Sequence, residues 1–289
     1  MPANEGEGIV VPARSPQLPN QRDPLVLVTL PVFNEAFRIE TCVDSVTSAL
    51  REANVRFLLA IAEDGSDDGT KSLINDIARR RPEIIVQSLE GRRGRGYALR
   101  VLWSGVEADV YAFSDVDLAA GTESLLRGLD VIDAGADVVI GSRYVDGASV
   151  VRPPLRSLAS RSYNRLIRLL LGGSVMDHQC GMKLFTRSAI SKLLSATNED
   201  TWFWDTEVVV LAQRMGMLVK EIPVNWVERK VGRTEISRLL NDIYVHGTGL
   251  LKLKADLSNQ DGSGWRHPRK ESDSARVEPR LPDIPARRF

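Results

Sequence analysis

Cysteine is nearly absent from this 289-residue chain, which holds Cys42 and Cys180 and no others. Two cysteines are too few for a disulfide framework, and a reduced, cytoplasmic setting is the simpler expectation. Histidine is scarce as well: His178, His246 and His267 show no zinc-ligand spacing. Neither charge sign is in excess, with 38 basic and 38 acidic residues, so bulk charge gives no argument for nucleic acid, and no nucleic-acid partner is expected. No apolar run reaches eighteen residues, which argues against a membrane-spanning helix. Residues 1–23 carry Pro, Gly, Asn and Glu without an apolar h-region, so a signal peptide is not expected either.

What the chain does have is a hydrophobic fraction of 43%, sufficient for one sizeable core with an appended subdomain. Residues 1–23 and 258–289, the latter rich in Pro, Arg, Ser and Asp, are expected to be disordered tails around a folded body at 24–257. Within that body the pattern alternates. Leu25–Leu30 is a continuous apolar run, residues 38–52 show helical spacing through Ile39, Val43, Val46 and Leu50, and Phe57–Ala62 is a second buried strand. Ser66–Thr70 opens a helix through Leu73, Ile74 and Ile77; Ile84–Leu89 is a third strand, followed by the basic turn Gly91–Gly96 and a helix through Ala98 and Leu102. Asp109–Phe113 is the fourth strand of this βαβαβα order, which predicts an α/β fold with a mostly parallel sheet flanked by helices. A helix near 122–134, a strand at 136–140, a helix at 155–171, a helix after Trp204, strands around 218–227 broken by Pro223, and a helix at about 236–256 complete the expected order.

Ligands of such sheets bind beyond the carboxyl ends of the strands. Pro31–Glu35, Glu63–Asp68, Gly91–Gly96 and Ser114–Asp117 all fall on that edge. Asp115 and Asp117 are the most informative pair: strand alternation would project both carboxylates to one side, a hard-cation site suited to Mg²⁺ or Mn²⁺ carrying a diphosphate. An isolated Asp-x-Asp is more often a helix N-cap and a solvated turn, and Gly91–Gly96 lacks the G-x-G-x-x-G spacing of a dinucleotide fold.

Taken jointly, Pro31-Val32-Phe33-Asn34-Glu35, Glu63-Asp64-Gly65-Ser66-Asp67-Asp68-Gly69-Thr70, Asp115-Val116-Asp117 and Gly141-Ser142-Arg143 resemble glycosyltransferase family 2. The segment Asp177-His178-Gln179-Cys180-Gly181-Met182-Lys183-Leu184-Phe185 is similar to that of dolichyl-phosphate β-glucosyltransferases, and Trp202–Glu207 and Val224–Glu228 point the same way. The resemblance covers about residues 25–253. It implies the GT-A fold, with a nucleotide-binding half at about 24–120, an acceptor half at about 121–235 and an amphipathic C-terminal helix at about 236–257. It implies an inverting, metal-dependent transfer of a hexose from a nucleotide sugar to a polyprenyl phosphate.

Under that resemblance Asp115 and Asp117 hold the metal. Pro31, Asn34, Glu35, Asp64, Ser66, Arg95, Gly96 and Val116, with Asp115, grip the nucleotide sugar. Arg143 and Arg156 meet the acceptor phosphate and diphosphate, Gln179, Lys183 and Glu207 belong to the acceptor and sugar side, and Asp205 is the acid that would serve as base for a hydroxyl acceptor. Asp117, Arg143, Arg156 and Asp205 form the expected catalytic set. The position two residues beyond the second metal aspartate, a glutamine in many mannosyl enzymes, is Ala119, which moves the expectation towards UDP-glucose over GDP-mannose. Gly232-Arg233-Thr234-Glu235 replaces the family's Ser-Lys pair. A transferase to a soluble hydroxyl acceptor and a nucleotide-sugar-binding subunit without activity are the other readings.

The helix at 155–171 sets Leu155, Leu158, Leu166, Leu169 and Leu170 on one side and Arg161, Arg165 and Arg168 on another. A second stretch runs through Ile236, Leu239, Leu240, Ile243, Leu250 and Leu251 to Lys252 and Lys254. Such helices either cover their own core or lie in a bilayer interface, and peripheral attachment to the cytoplasmic membrane face is expected.

Overall fold

A computed structural model describes residues 9–10, 23–227 and 247–258. The apolar run after Pro24 forms β2 (Val26–Val32), flanked in the sheet by β3 (Phe57–Glu63) and β5 (Val110–Ser114). With β4 (Ile84–Ser88), these strands are parallel, as the βαβ order requires. The chain first builds outwards from β2 through β3 to β4, then returns across it to β5. The direction of strand addition therefore reverses at β2, and the crevice beyond the carboxyl ends of β2, β3 and β5 is a topological switch point.

On the far side, β8 (Met182–Thr186) runs antiparallel between β5 and β6 (Val138–Ser142), and β9 (Val219–Pro223) adds parallel to β6. With Ile9–Val10 as β1, the full order is β1-β4-β3-β2-β5-β8-β6-β9. β1 is antiparallel to β4, so part of the segment expected as an N-terminal tail pairs with the sheet edge. A second, small sheet pairs β7 (Ser149–Val151) with β10 (Asn225–Val227). Pro223 donates no amide, and the chain leaves the main sheet there for the small one.

Strand alternation sends Leu27 to one face of the sheet and Val26, Val28 and Leu30 to the other. α1 (Ile39–Glu52), α2 (Thr70–Arg80) and α4 (Thr122–Asp133) cover the second face. α3 (Arg95–Gly105), α6 (Arg187–Ala196), α7 (Trp204–Arg214) and the helical residues 247–258 cover the first. α6 and β7 add to the expected order; β7 is only three residues long, and α6 follows directly on β8. Under the first face Trp103 meets Tyr111, Phe185 and Trp204 edge to face at 5.8–5.9 Å and donates its indole N–H to Thr29 Oγ1 at 2.8 Å. This aromatic layer sets the start of α7 against the end of β5.

α5 (Pro154–Leu171) buries Asn164, Ile167 and Leu171. Four of its leucines face outwards: Leu155, Leu158, Leu166 and Leu169 are 64%, 64%, 44% and 74% exposed, whereas Leu170 packs partly against the core. Among the described residues no helix is long and apolar enough to cross a membrane. The expected C-terminal helix is seen over 247–258, and its earlier portion lies outside the described residues.

Candidate active site

Beyond β2 the chain turns at Asn34, whose φ of 56° lies in the left-handed region that asparagine tolerates. The segment after β3 holds that turn. Ser66 Oγ accepts the Asn34 amide at 3.0 Å, Thr70 Oγ1 the Glu35 amide at 3.1 Å, and Asp68 Oδ2 the Ala36 amide at 3.2 Å. Asn34 closes the exchange, its Nδ2 donating to Asp67 Oδ1 at 2.9 Å and its Oδ1 accepting the Asp67 amide at 3.0 Å. Asp67 and Asp68 lie just before α2, whose first turn contains no acid; Asp68 Oδ1 takes the Thr70 amide at 3.0 Å. The Glu35 carboxyl is thereby presented inwards beside Arg38, 3.0 Å away. Burial raises its pKa, Arg38 opposes the shift, and Asp117, Asp68 and Asp115 add to it.

Asp64, at the end of β3, accepts the Arg93 amide at 2.6 Å and the Gly94 amide at 2.9 Å. A carboxylate at the beginning of α3 satisfies donors that the helix leaves open and complements its dipole. Gly94, at φ 108°, passes so close to the Asp200 carbonyl that a side chain would collide. Arg95 is the first residue of α3 and lines the crevice.

The crevice itself is a cleft of about 190 Å³. Of the residues expected to grip the nucleotide sugar and metal, Pro31, Glu35, Asp64, Arg95, Asp115, Val116 and Asp117 line it together. Phe33, Arg92 and Trp202 also line it and carried no assigned role in the sequence reading, although Phe33 and Trp202 stand inside the quoted motifs. Arg92 stacks over Phe33 at 4.1 Å and Arg95 over Trp202 at 3.9 Å. Asn34, Ser66 and Gly96 are not lining residues: the first two build the turn, and Gly96 packs on Trp204 and the Glu199 carbonyl.

The two aspartates reach the cleft by a different route from strand alternation. β5 stops at Ser114, and Asp115 opens a turn in which the Leu118 amide meets the Asp115 carbonyl at 2.9 Å. Leu118 has φ 49°, and Asp117 Oδ1 accepts the Ala119 amide at 3.0 Å. Arg95 pairs with Asp115. Burial raises the Asp115 pKa against the pull of Arg95, with Asp117 and Asp205 adding to it. Burial works against the Arg95 charge, but Asp115 and Asp205 hold its pKa above the ordinary value.

The remaining expected residues lie off the cleft lining. Arg143 is 7% exposed, and its guanidinium grips Asp177 at 2.7 and 2.8 Å, its amide adding 3.0 Å to the same carboxylate. Burial opposes the Arg143 charge and Asp177 overcomes it, raising the arginine; the same pairing overcomes burial to lower Asp177. The sequence reading gave Asp177 no role, because its partner lies 34 residues away. The Gln179 amide donates to Asp177 Oδ1 at 3.3 Å. Arg156 is half-buried on α5. Lys183 and Asp205 are fully buried and joined at 3.2 Å. The Glu207 carboxylate accepts the amides of Asn198 and Glu199 at 3.0–3.2 Å, fixing the loop before α7; burial raises its pKa.

Among the described residues no cluster of three or more His, Cys, Asp or Glu side chains forms a metal cage. Asp115 and Asp117 supply hard oxygen ligands at the cleft, which fits a Mg²⁺ or Mn²⁺ whose other ligands come from a diphosphate and water. Gly181 fits too, since its missing side chain leaves the Asp115 carboxylate its place.

Solved structures share this architecture. Glucosyl-3-phosphoglycerate synthase from Mycobacterium tuberculosis, in complex with UDP, aligns with TM-score 0.63 and 20% identity over 80% of each chain. Mannosyl-3-phosphoglycerate synthase from Rubrobacter xylanophilus aligns with TM-score 0.60 and 16% identity, over 83% of this chain and 75% of the other. The fold is that of the GT-A glycosyltransferases. Residues 27–194 match the model of glycosyl transferase family 2, and the chain belongs to that family. It is 31% identical over 225 residues to the polyprenol monophosphomannose synthase of Mycolicibacterium smegmatis, covering 76% of this chain and 82% of that protein. It is 36% identical over 230 residues to glycosyltransferase AglD of Haloferax volcanii, covering 78% of this chain but 36% of that protein's length. It is 28% identical over 221 residues to the dolichyl-phosphate beta-glucosyltransferase of Saccharomyces cerevisiae, covering 70% and 66%.

Proposed function

We propose that this glycosyltransferase moves a hexose from a nucleotide sugar to a polyprenyl phosphate, with inversion at the anomeric carbon. The observation that carries the reading is the cleft at the switch point, where Asp115 and Asp117 face Arg95 and Arg92. A nucleoside diphosphate needs such a mixture: carboxylates for a cation and guanidinium groups for phosphate oxygens. Asp115 and Asp117 would hold Mg²⁺ or Mn²⁺, which supplies Lewis-acid help for loss of the diphosphate. Asp64 holds the turn before Arg95 through the Arg93 and Gly94 amides, and Glu35 and Arg38 also line the cleft.

A phosphate monoester acceptor is already anionic near neutral pH, so no strong base is required of the protein. Attack is then a single in-line displacement without a sugar–enzyme intermediate. UDP-glucose is the favoured donor, supported by the dolichyl-phosphate glucosyltransferase relatives and by Ala119. The mycobacterial mannosyl relative supports GDP-mannose as the second reading.

The outward leucines of α5 support peripheral contact with the bilayer. A helix whose leucines only covered its own core would not expose Leu155, Leu158 and Leu169 by more than half. Arg161 and Arg165 are exposed on the same helix, as anionic lipid headgroups would favour.

The test is a panel of UDP- and GDP-sugars with one polyprenyl phosphate, with Mn²⁺ or Mg²⁺ present or chelated. Metal-dependent formation of one sugar–phosphoprenol is expected. Transfer only to water-soluble hydroxyl acceptors, or tight nucleotide binding with no transfer, overturns the reading.

A further inference from the structure

Beneath the cleft lies a chain of four alternating charges, Lys183–Asp205–Arg95–Asp115. Lys183 Nζ donates to Asp205 Oδ1 at 3.2 Å and to the Cys180 carbonyl at 2.9 Å. Asp205 Oδ2 accepts from Arg95 at 2.8 Å, and the other terminal nitrogen of Arg95 pairs with Asp115. Lys183 is 0% exposed, Asp205 2% and Arg95 6%. Each charge comes from a separate element: β8, the first turn of α7, the first residue of α3 and the turn after β5.

This arrangement suits Asp205 poorly to proton abstraction. Both its oxygens are engaged by buried cations, it stands outside the cleft lining, and neutralising it would leave two cations under-compensated in a desolvated place. It suits another task well. Arg95 is gripped from behind by Asp205 and on its face by Trp202 at 3.9 Å, which fixes where its guanidinium enters the cleft.

We propose that Asp205, steadied by Lys183, is a positioning residue that acts through Arg95 to set the cation meeting the nucleotide diphosphate, and is not the base for the acceptor. The proposal rests on the nucleotide-sugar reading above and assigns a role within that site.

The experiment is a double-mutant cycle in wild-type, Asp205→Asn, Arg95→Gln and combined proteins. Calorimetry measures UDP and GDP binding with Mn²⁺, and steady-state assays give kcat and KM for the donor. Asp205→Asn is expected to weaken binding of the preferred nucleotide about tenfold. It should have almost no further effect once Arg95 is glutamine, and kcat should change by less than about threefold. A hundredfold fall in kcat with unchanged nucleotide affinity overturns the proposal, as does a loss that persists in the Arg95→Gln background.

If Asp205→Asn does not fold, Lys183→Met with Asp205→Asn removes one charge of each sign and replaces it in the same cycle, with the same outcomes. Nucleotide binding without transfer to polyprenyl phosphate would refute the acceptor reading while the cycle still decides the role of Asp205. Additive losses with transfer intact would refute the positioning role alone.

Discussion

The Asp115 carboxylate occupies the space that a side chain on Gly181 would need, and the Asp115 amide donates to the Gly181 carbonyl at 2.9 Å. One of the two candidate metal ligands is thus seated by the backbone at the entrance to β8. Gly181→Ala should push the carboxylate from its place and lower sugar transfer by about 10²-fold, the usual cost of an ångström-scale displacement of a reacting constellation. Wild-type turnover in that variant would show that the seat is unimportant.

Asp117→Ala should reduce transfer by about 10²–10³-fold and remove the metal dependence of nucleotide binding. Calorimetry with UDP, with and without Mn²⁺, checks it. Near-normal turnover would contradict the metal role.

Removing Asp177 leaves the Arg143 guanidinium buried without its carboxylate. Asp177→Ala should therefore cost about 3–5 kcal/mol in urea unfolding, since breaking a buried pair strands the remaining charge. A loss below about 1 kcal/mol would mean that Arg143 reaches solvent or another anion.

His178 is fully buried, its Nδ1 3.0 Å from Asn164 Oδ1. Burial pushes its pKa down to about 3; Asp177 opposes this, and Lys183 and Arg168 add to it. An unfolded imidazole protonates near 6.5, so between that pH and about 3 the unfolded chain binds more protons than the folded one. The contribution is fully present above about 6.5 and is lost as pH falls, by up to about 1.4 kcal/mol per unit. Urea unfolding at pH 7 and pH 5 should show about 2 kcal/mol less acid sensitivity in His178→Gln than in wild type. Equal sensitivity would mean that the folded imidazole takes up its proton as readily as the unfolded one.

Leu158→Ser with Leu169→Ser tests the outward face of α5. If both leucines enter lipid, each loss costs about 1.5 kcal/mol or more, and partition onto anionic vesicles should fall at least about a hundredfold. Turnover of a short, water-soluble isoprenyl phosphate should stay within about twofold, because neither residue lines the cleft. Unchanged vesicle binding would place the membrane contact elsewhere.

The sheet and the acids at its edge were readable in the residues because both are local. Val26–Val32 and Phe57–Glu63 are short apolar runs bounded by polar residues, and Asp115 and Asp117 are near neighbours at a strand end wherever the rest of the chain goes. Local reading failed where the backbone turned. The aspartates converge through a turn at Leu118, and the residues from Ser66 to Thr70 chiefly hold Asn34 and its neighbours.

The amino-acid order by itself determined the α/β layering, the strand edge that carries the site and the chemical kind of groups placed there. Only the tertiary structure decided the pairings: Asp205 with Arg95, 110 residues apart, Asp177 with Arg143, 34 apart, and the outward turn of the α5 leucines. The reason is physical. Periodicity and strand ends follow from covalent neighbours, whereas a buried charge chooses its partner by distance in the folded core, where desolvation makes an unpaired charge costly and a paired one tolerable.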